Sequence, residues 1–372
     1  MNRAMTKILS HTSMIIAKLI RLLKVNKLNS WRAPSDIKNI KNKQMKKLFY
    51  ILLLLSIPRF IQAQCFTSPG NPIGGNINMG IMDKHLLRLS GFYKHSYSGR
   101  YFFGDELYTK KEGTTFKSAV YNYLGWTFAY GVTDKFTAET EFGYFINKTR
   151  EFVSPERGYG FSNAIFLGKY NLFFHEEKRI EITLGAGGKV PMRHQAQEVN
   201  GIILAPEAQS SAGAYGMVLK SYLIKEYPFT AWRFFLISQF DYNFPSTPDY
   251  YDKKKYIFGH ALTNSFFITK HLHMPPKLAW LSENWTVILQ IRNEWKGKNQ
   301  LQSTDVENPE WTDVPNSGSN VTFISPQLNY TIEEKWNISF TWDIPVYQYY
   351  NKKQMATDYA FNFNITRDLK VK

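Results

Sequence analysis

Apolar and polar residues alternate along most of this chain, from residue 85 to its end. In residues 135–147, Phe136, Phe142 and Tyr144 fall on one set of alternate positions, and Glu139 and Glu141 fall on the other. A β-strand points successive side chains to opposite faces, whereas a helix would mix these two sets. The pattern therefore predicts strands with one apolar and one polar face.

Twelve such segments follow one another, an even number, as a closed bacterial barrel requires. The predicted strands are 85–97, 119–131, 136–147, 162–173, 179–190, 212–224, 231–244, 256–270, 285–295, 321–331, 336–348 and 355–367. The connections between them are mostly long and short in turn, which is typical of external loops and periplasmic turns.

Two connections break this alternation. Residues 271–284 are long where a short turn is expected, and residues 349–354 are short where a long loop is expected. A count of ten or fourteen strands therefore stays open. The predicted fold class is all-β, as a single antiparallel up-and-down transmembrane barrel over residues 85–372.

Composition favours a membrane barrel over a soluble β-sandwich, which also alternates. Aromatic residues make up 16% of the chain, yet the mean hydropathy is −0.35. That pairing suits a sheet with one face toward lipid and the other toward water. Aromatic residues at the ends of the apolar faces, such as Trp285 with Trp295, indicate interface girdles.

The segment 45–63 reads as a signal peptide. Lys46 and Lys47 precede an apolar run at 48–57, and Ala63 is a small residue at the expected cleavage point. The run is about half the length of a membrane-spanning helix. Lipid attachment at Cys65 is the alternative, which Gln64 disfavours. Residues 1–44 are interpreted as a mis-assigned extension, with an amphipathic segment as the alternative.

Net charge does not indicate a nucleic-acid partner. Of 46 Lys and Arg and 30 Asp and Glu, residues 1–63 hold 13 and one, which leaves a surplus of only four in the remainder. The formal charge of +16 therefore belongs mainly to the leader rather than to a binding surface.

Ten charged residues are predicted to face the barrel interior. A lumen with both signs of charge predicts a solute path without strong ion preference, and a plugged barrel held by internal ion pairs is the alternative. The candidate residues are Arg88, Glu139, Glu141, Arg179, Glu181, Arg233, Asp241, Arg292, Glu294 and Asp343.

Other motifs carry less chemistry. His271, His273 and Met274 form a weak candidate metal cluster, for which a solvated turn is the favoured interpretation. No pattern predicts a catalytic nucleophile with a base in reach, so the chain is not expected to be an enzyme or to bind a cofactor. The glycines at 185, 187 and 188 predict a bend or tight packing rather than a phosphate loop.

The segment 64–84, rich in Gly, Pro and Asn, precedes the first strand. It is predicted to be a periplasmic lead-in. A sharper hypothesis is an ordered segment that enters the lumen or binds a periplasmic partner.

Several short motifs resemble outer-membrane proteins of the Bacteroidota described as transporters, near the broad family named for the phenol-degradation meta pathway. The resemblance depends on the Ala63-Gln64 leader ending, Asn71-Pro72-Ile73-Gly74-Gly75, Phe92-Tyr93-Lys94 and Tyr97-Ser98-Gly99-Arg100-Tyr101. It implies an outer-membrane, porin-like transporter in contact with lipid, and it carries no residue roles.

Three functional hypotheses follow. The first is a passive channel or transporter for a small solute, exported to the outer membrane. The second is a plugged structural barrel that binds a periplasmic partner through residues 64–84. The third is an outer-membrane hydrolase.

Overall fold

The computed structural model describes residues 80–109, 117–151, 155–193, 195–199, 201–204, 206, 208–247, 254–272, 284–302, 310–333 and 335–371. The predicted signal peptide, the 1–44 extension and most of the 64–84 lead-in lie outside these residues.

Twelve long antiparallel strands build the fold. They are β1 (Leu86–Ser98), β2 (Ser118–Thr133), β3 (Phe136–Glu151), β4 (Asn163–His175), β5 (Ile180–Pro191), β6 (Gly216–Tyr227), β7 (Trp232–Asn243), β8 (Ala261–His271), β9 (Trp285–Lys296), β10 (Ser319–Ile332), β11 (Trp336–Ala356) and β12 (Tyr359–Lys370).

Each strand pairs with its neighbours in sequence, and β1 also pairs with β12, from Leu86 opposite Lys370 to Tyr97 opposite Tyr359. The sheet is therefore a closed barrel without a free edge, and the predicted count of twelve strands is confirmed. Closure matters because lipid offers no partner for exposed backbone N–H and C=O groups.

The alternation seen in the sequence separates the two faces of the wall. On β3, Thr137 and Glu139 are buried while Phe136 and Ala138 are exposed. Exposed large apolar side chains lie on the opposite face from the buried ones throughout the barrel. The outer face is thus an apolar surface for lipid, and the inner face carries most of the polar residues.

Aromatic residues mark the two ends of the outer face. Trp232, at the start of β7, and Tyr227, at the end of β6, are opposite each other at the turn end. Trp295 and Tyr242 are exposed near the loop end of β9 and β7. This distribution matches the interface girdles expected of a barrel in a bilayer.

The two irregular connections have different outcomes. Residues 349–354 belong to β11 rather than to a loop, so their prediction as a connection is wrong. Lys352 has a positive φ of 62° and the register shifts between Tyr350 and Lys353, so the strand bends there. Beyond the bend, β11 pairs with the short strand Arg100–Gly104. Most of 271–284 lies outside the described residues.

A single 3-10 turn, Pro228–Thr230, is the helical element that the described residues contain. Among those residues, we find no helix of the length and hydropathy needed to cross a membrane.

Candidate functional site in the barrel interior

A buried carboxylate lies between two lysines on the inner face. Lys169 Nζ on β4 is 2.8 Å from Glu139 Oε2 on β3, and Lys220 Nζ on β6 is 3.6 Å from Glu139 Oε1. The Glu139 and Lys169 side chains are at most 3% exposed. Lys169 Nζ also lies 5.4 Å from the ring centre of Tyr222. This Glu139 cluster links three strands across the interior.

A second cluster centres on Asp343, on β11. The guanidinium of Arg292 donates to both Asp343 oxygens at 3.2 and 3.0 Å, and Ser325 Oγ donates to Oδ1 at 2.7 Å. Arg292 Nε also donates to Glu294 at 2.7 Å, and Lys94 Nζ is 3.3 Å from Asp343. This Asp343 cluster links β1, β9, β10 and β11, and its two basic and two acidic groups balance.

The other predicted interior charges mostly have partners close to the two ends of the barrel. Arg88 donates to Asp368 at 2.7 and 2.6 Å at the turn end, and Arg233 pairs with Glu226 there. At the loop end, Asp241 lies 3.8 Å from Lys189 Nζ.

Glu181 and Glu141 complete the set. Glu181 Oε1 accepts hydrogen bonds from Thr183 Oγ1 at 2.8 Å and from the backbone N–H of Ile81 at 3.3 Å. Glu141 is half-buried on β3, two residues beyond Glu139.

Arg179 lies in the exposed turn before β5, with a positive φ of 49°, so its predicted place on the inner face is wrong. The turn reverses the chain there, which removes the residue from the strand alternation.

His271 lies at the end of β8, 3.2 Å from Thr286 Oγ1. His273 and Met274 lie outside the described residues, and the residues that are described hold no group of three metal ligands.

Three lysines complete these clusters, and they are functional candidates that are missing from the ten charged residues predicted to face the interior. Lys94, Lys169 and Lys220 all occupy inward positions of their strands. Alternation could have predicted their inward positions, since Lys94, for example, lies on the same set of alternate positions as Arg88 on β1. Alternation could not have predicted their partners, because each ion pair joins residues far apart in the sequence.

The turn end of the interior is occupied by the residues that precede β1. The backbone N–H of Met82 donates to Thr137 Oγ1 on β3 at 2.8 Å, and Met82 is 4% exposed. Gly80 lies against the carboxylate of Glu181, on β5. Residues 80–82 therefore reach across the opening from β1 to β3 and β5.

The loop end is covered by part of the connection between β5 and β6. Within it, Ala208, Ser210 and Ala214 are fully buried. Lys148 Nζ on β3 donates to the Gln209 carbonyl at 2.8 Å, and Ser211 Oγ donates to Asn163 Oδ1 at 2.8 Å. The described part of residues 195–214, which we call the inner loop, is thus held against the barrel wall.

His260, one residue before β8, lies beside this end. Its ring stacks on Tyr242 with centroids 4.3 Å apart, and its Nδ1 accepts the backbone N–H of Asn243 at 3.2 Å. Partial burial, followed by the nearby Lys189 ammonium, lowers the pKa of His260. The neutral ring is therefore favoured at neutral pH, which leaves Nδ1 able to accept this hydrogen bond.

The closed barrel, its apolar outer face and its polar inner face define the class of fold as that of outer-membrane β-barrels. An outer-membrane channel from Pseudomonas putida F1 has this fold, with a TM-score of 0.57 at 10% identity over 80% of this chain and all of that one.

Two further solved structures are more distant. The toluene transporter TbuX of Ralstonia pickettii has a TM-score of 0.41 at 9% identity, over 83% of this chain and 99% of its own. The toluene transporter TodX of P. putida has a TM-score of 0.35 at 8% identity, over 78% and 91%. All three are described as a channel or transporter rather than as enzymes. No protein-family model and no curated protein sequence matches this chain.

Proposed function

We propose that this protein is a gated outer-membrane channel or transporter for a small solute, closed in the conformation described. The observation that carries the proposal is the polar inner face, with the Glu139 and Asp343 clusters buried inside a closed barrel. Buried ion pairs are poor stabilisers compared with apolar packing of the same volume. Their presence favours a role for the interior beyond holding the wall together.

Two covering segments support the idea of gating. Residues 80–82 lie across one end of the interior, and the inner loop lies across the other. Neither segment pairs with a barrel strand, so each can move without breaking the barrel. Residues 80–82 are held by a few hydrogen bonds, and the inner loop is held by hydrogen bonds and by packing of Ala212 and Ala214 against Tyr256 and Phe258. The Asp343 cluster has equal numbers of basic and acidic groups. This balance favours a channel without a strong preference for cations or anions.

The proposal includes export through the 45–63 signal peptide and residence in the outer membrane. The apolar outer face supports lipid contact, and the P. putida F1 channel of similar fold resides in that membrane. The likeness of the 64–101 motifs to the phenol-degradation meta-pathway family is consistent with this location.

Solute flux in liposomes is the direct test. We expect the full chain to pass small neutral solutes slowly. We expect Met82→Ala combined with Thr137→Val, which loosens residues 80–82, to raise the rate of swelling severalfold. Lys148→Met should also raise it by releasing the inner loop. Absence of flux in all three proteins would contradict the proposal.

A matched control separates gating from general damage. Thr286→Val changes a polar residue near the same end of the barrel whose hydrogen-bond partner is His271 rather than a residue of 80–82, and it should leave flux unchanged. Flux raised equally by this control would indicate a leaky barrel instead of a released segment.

The second candidate is a plugged barrel that binds a periplasmic partner through residues 64–84. It is favoured by the nearly complete burial of the inner face in the described residues. A partner that co-purifies with the full chain and is lost when residues 64–79 are replaced by a Gly-Ser segment would support it.

A further inference from the structure

A row of uncharged polar side chains crosses the inner face from β10 to β12. Gln327 is opposite Thr341, Thr341 is opposite Asn362, and Asn362 is opposite Lys94 on β1. The three uncharged residues are 5%, 1% and 3% exposed. Their outward neighbours, such as Leu328 and Trp342, are exposed on the lipid face. The row therefore runs side by side across neighbouring strands on the inner face of the barrel.

Each of these three side chains carries a buried polar atom that no described residue satisfies. The atoms are Gln327 Oε1, Thr341 Oγ1 and Asn362 Oδ1. Buried polar atoms in proteins nearly always have a hydrogen-bond partner, so each exception needs an explanation. Three of them that are cross-strand partners on adjacent strands form a local pattern rather than scattered exceptions.

We propose that this polar row is a binding subsite for a neutral, hydroxyl-bearing small solute of the polyol or sugar type. The proposal rests on the proposed channel function and names its class of solute. Two of the unsatisfied atoms are amide oxygens that only accept, and the Thr341 hydroxyl both donates and accepts. Solute hydroxyls can satisfy all three, because a hydroxyl also donates and accepts.

Charged solutes fit the row poorly. A buried cation would need a carboxylate partner, and Asp343 and Glu294 already pair with Lys94 and Arg292. An anion such as a carboxylate has no proton to donate to the two amide oxygens. The charges of Lys94 and Arg292 are already balanced by Asp343 and Glu294.

An apolar face continues the row on the other side of Lys94. Lys94 is opposite Tyr123, and Tyr123 is opposite Phe145. The Tyr123 and Phe145 rings are buried, with centroids 4.8 Å apart. A polyol has both hydroxyl groups and a carbon skeleton, so a polar row continued by aromatic rings on the neighbouring strands suits it. A hydrocarbon would use only the aromatic wall and leave the three polar atoms unsatisfied.

Equilibrium binding to the full chain in detergent tests this inference. The probe is xylitol, measured by calorimetry or saturation-transfer NMR after long incubation, because the row is covered in this conformation. Asn362→Leu and Thr341→Val should each weaken xylitol binding about tenfold, since a site built to hydrogen-bond a hydroxyl loses that contact. Lysine, glutamate and benzene should bind much more weakly than xylitol.

The control is Thr269→Val, which changes a buried interior threonine on β8 and should alter xylitol affinity less than about twofold. Heat-modifiable migration on a gel verifies that every variant folds. Folding is expected of Asn362→Leu and Thr341→Val because removing an unsatisfied polar group does not strand a partner. Xylitol binding that is absent, or equally weakened by the control, would overturn the subsite and assign the three atoms to water alone.

Binding and flux fail independently. Binding that depends on Asn362 and Thr341 without any flux would sink the proposed channel and leave the subsite standing. Flux of polyols and benzene at equal rates, with no effect of either variant on xylitol binding, would support the channel and overturn the subsite.

Discussion

At the scale of single residues, Glu139 is a buried carboxylate that two lysines share. It forms ion pairs with Lys169 on β4 and Lys220 on β6, and its side chain is 3% exposed. Removing one partner of a buried ion pair leaves the other charge uncompensated, which is far more harmful than never having had the pair.

Glu139→Gln is therefore expected to lower the free energy of unfolding by about 3 kcal/mol, because Lys169 and Lys220 lose their shared carboxylate. The measurement is urea denaturation in micelles followed by tryptophan fluorescence. Glu294→Gln is the control, since Glu294 is 29% exposed and its loss leaves Arg292 paired with Asp343. That control should lose about 1 kcal/mol or less. Equal losses of unfolding free energy in the two variants would contradict the larger contribution expected of the buried Glu139 carboxylate.

The sequence predicts which residues point inward but not which of them meet. Period-two alternation is local, so it placed Glu139, Arg292 and Asp343 on the polar face directly. Glu139 contacts Lys220 across two intervening strands, β4 and β5. That contact depends on strand register and on the curvature of the closed wall, neither of which is encoded in a local pattern.

At the scale of strands, the glycines of β5 show where the wall is tight. A side chain at Gly187 would overlap the carbonyl oxygen of Phe166, on β4. A side chain at the next residue, Gly188, would meet nothing within 4 Å. The sequence predicted tight packing or a bend for this stretch, and the close approach of β4 explains the first of these glycines.

Gly187→Ala is expected to impair barrel formation, because its new methyl group meets backbone rather than a flexible side chain. Gly188→Ala is the neighbouring control and should fold like the parent protein. Heat-modifiable migration after refolding into micelles compares the two. Identical folded fractions would show that β4 and β5 can separate enough to accept the methyl group.

Strand boundaries follow from alternation better than the connections do. The predicted strands 136–147 and 285–295 lie within the observed β3 and β9, which end at Glu151 and Lys296. The sequence predicts a connection at residues 349–354, between the alternating segments 336–348 and 355–367. In the structure, a bend at Lys352 keeps them in β11 against the short strand Arg100–Gly104.

At the scale of the whole molecule, the difference between short turns and long loops predicts orientation. The turn after β4 spans four residues, whereas the connection between β9 and β10 spans 297–318. In bacterial outer-membrane barrels the short turns are periplasmic and the long loops external. The inner loop would then cover the external end, and residues 80–82 the periplasmic end.

Cysteine labelling of intact cells tests that orientation. Cys65 is the sole cysteine, so the background is Cys65→Ser. A maleimide on a large polymer should label Glu310→Cys, in the long loop, but label Glu176→Cys, in a short turn, only after lysis. Both positions are exposed, so access alone decides the outcome. The opposite labelling pattern would show that the barrel has the reverse orientation in the membrane.

Closure of the wall by its first and last strands sets an order for biogenesis. The backbone N–H of Val371 donates to the His85 carbonyl, and Arg88 pairs with Asp368 beside it. These contacts join the two ends of the barrel sequence, so they form only when nearly the whole chain is present. Until then β1 has an open edge able to pair with other chains. A newly exported chain would therefore need a holding chaperone, and premature termination before β12 would leave an aggregation-prone remnant rather than a smaller barrel.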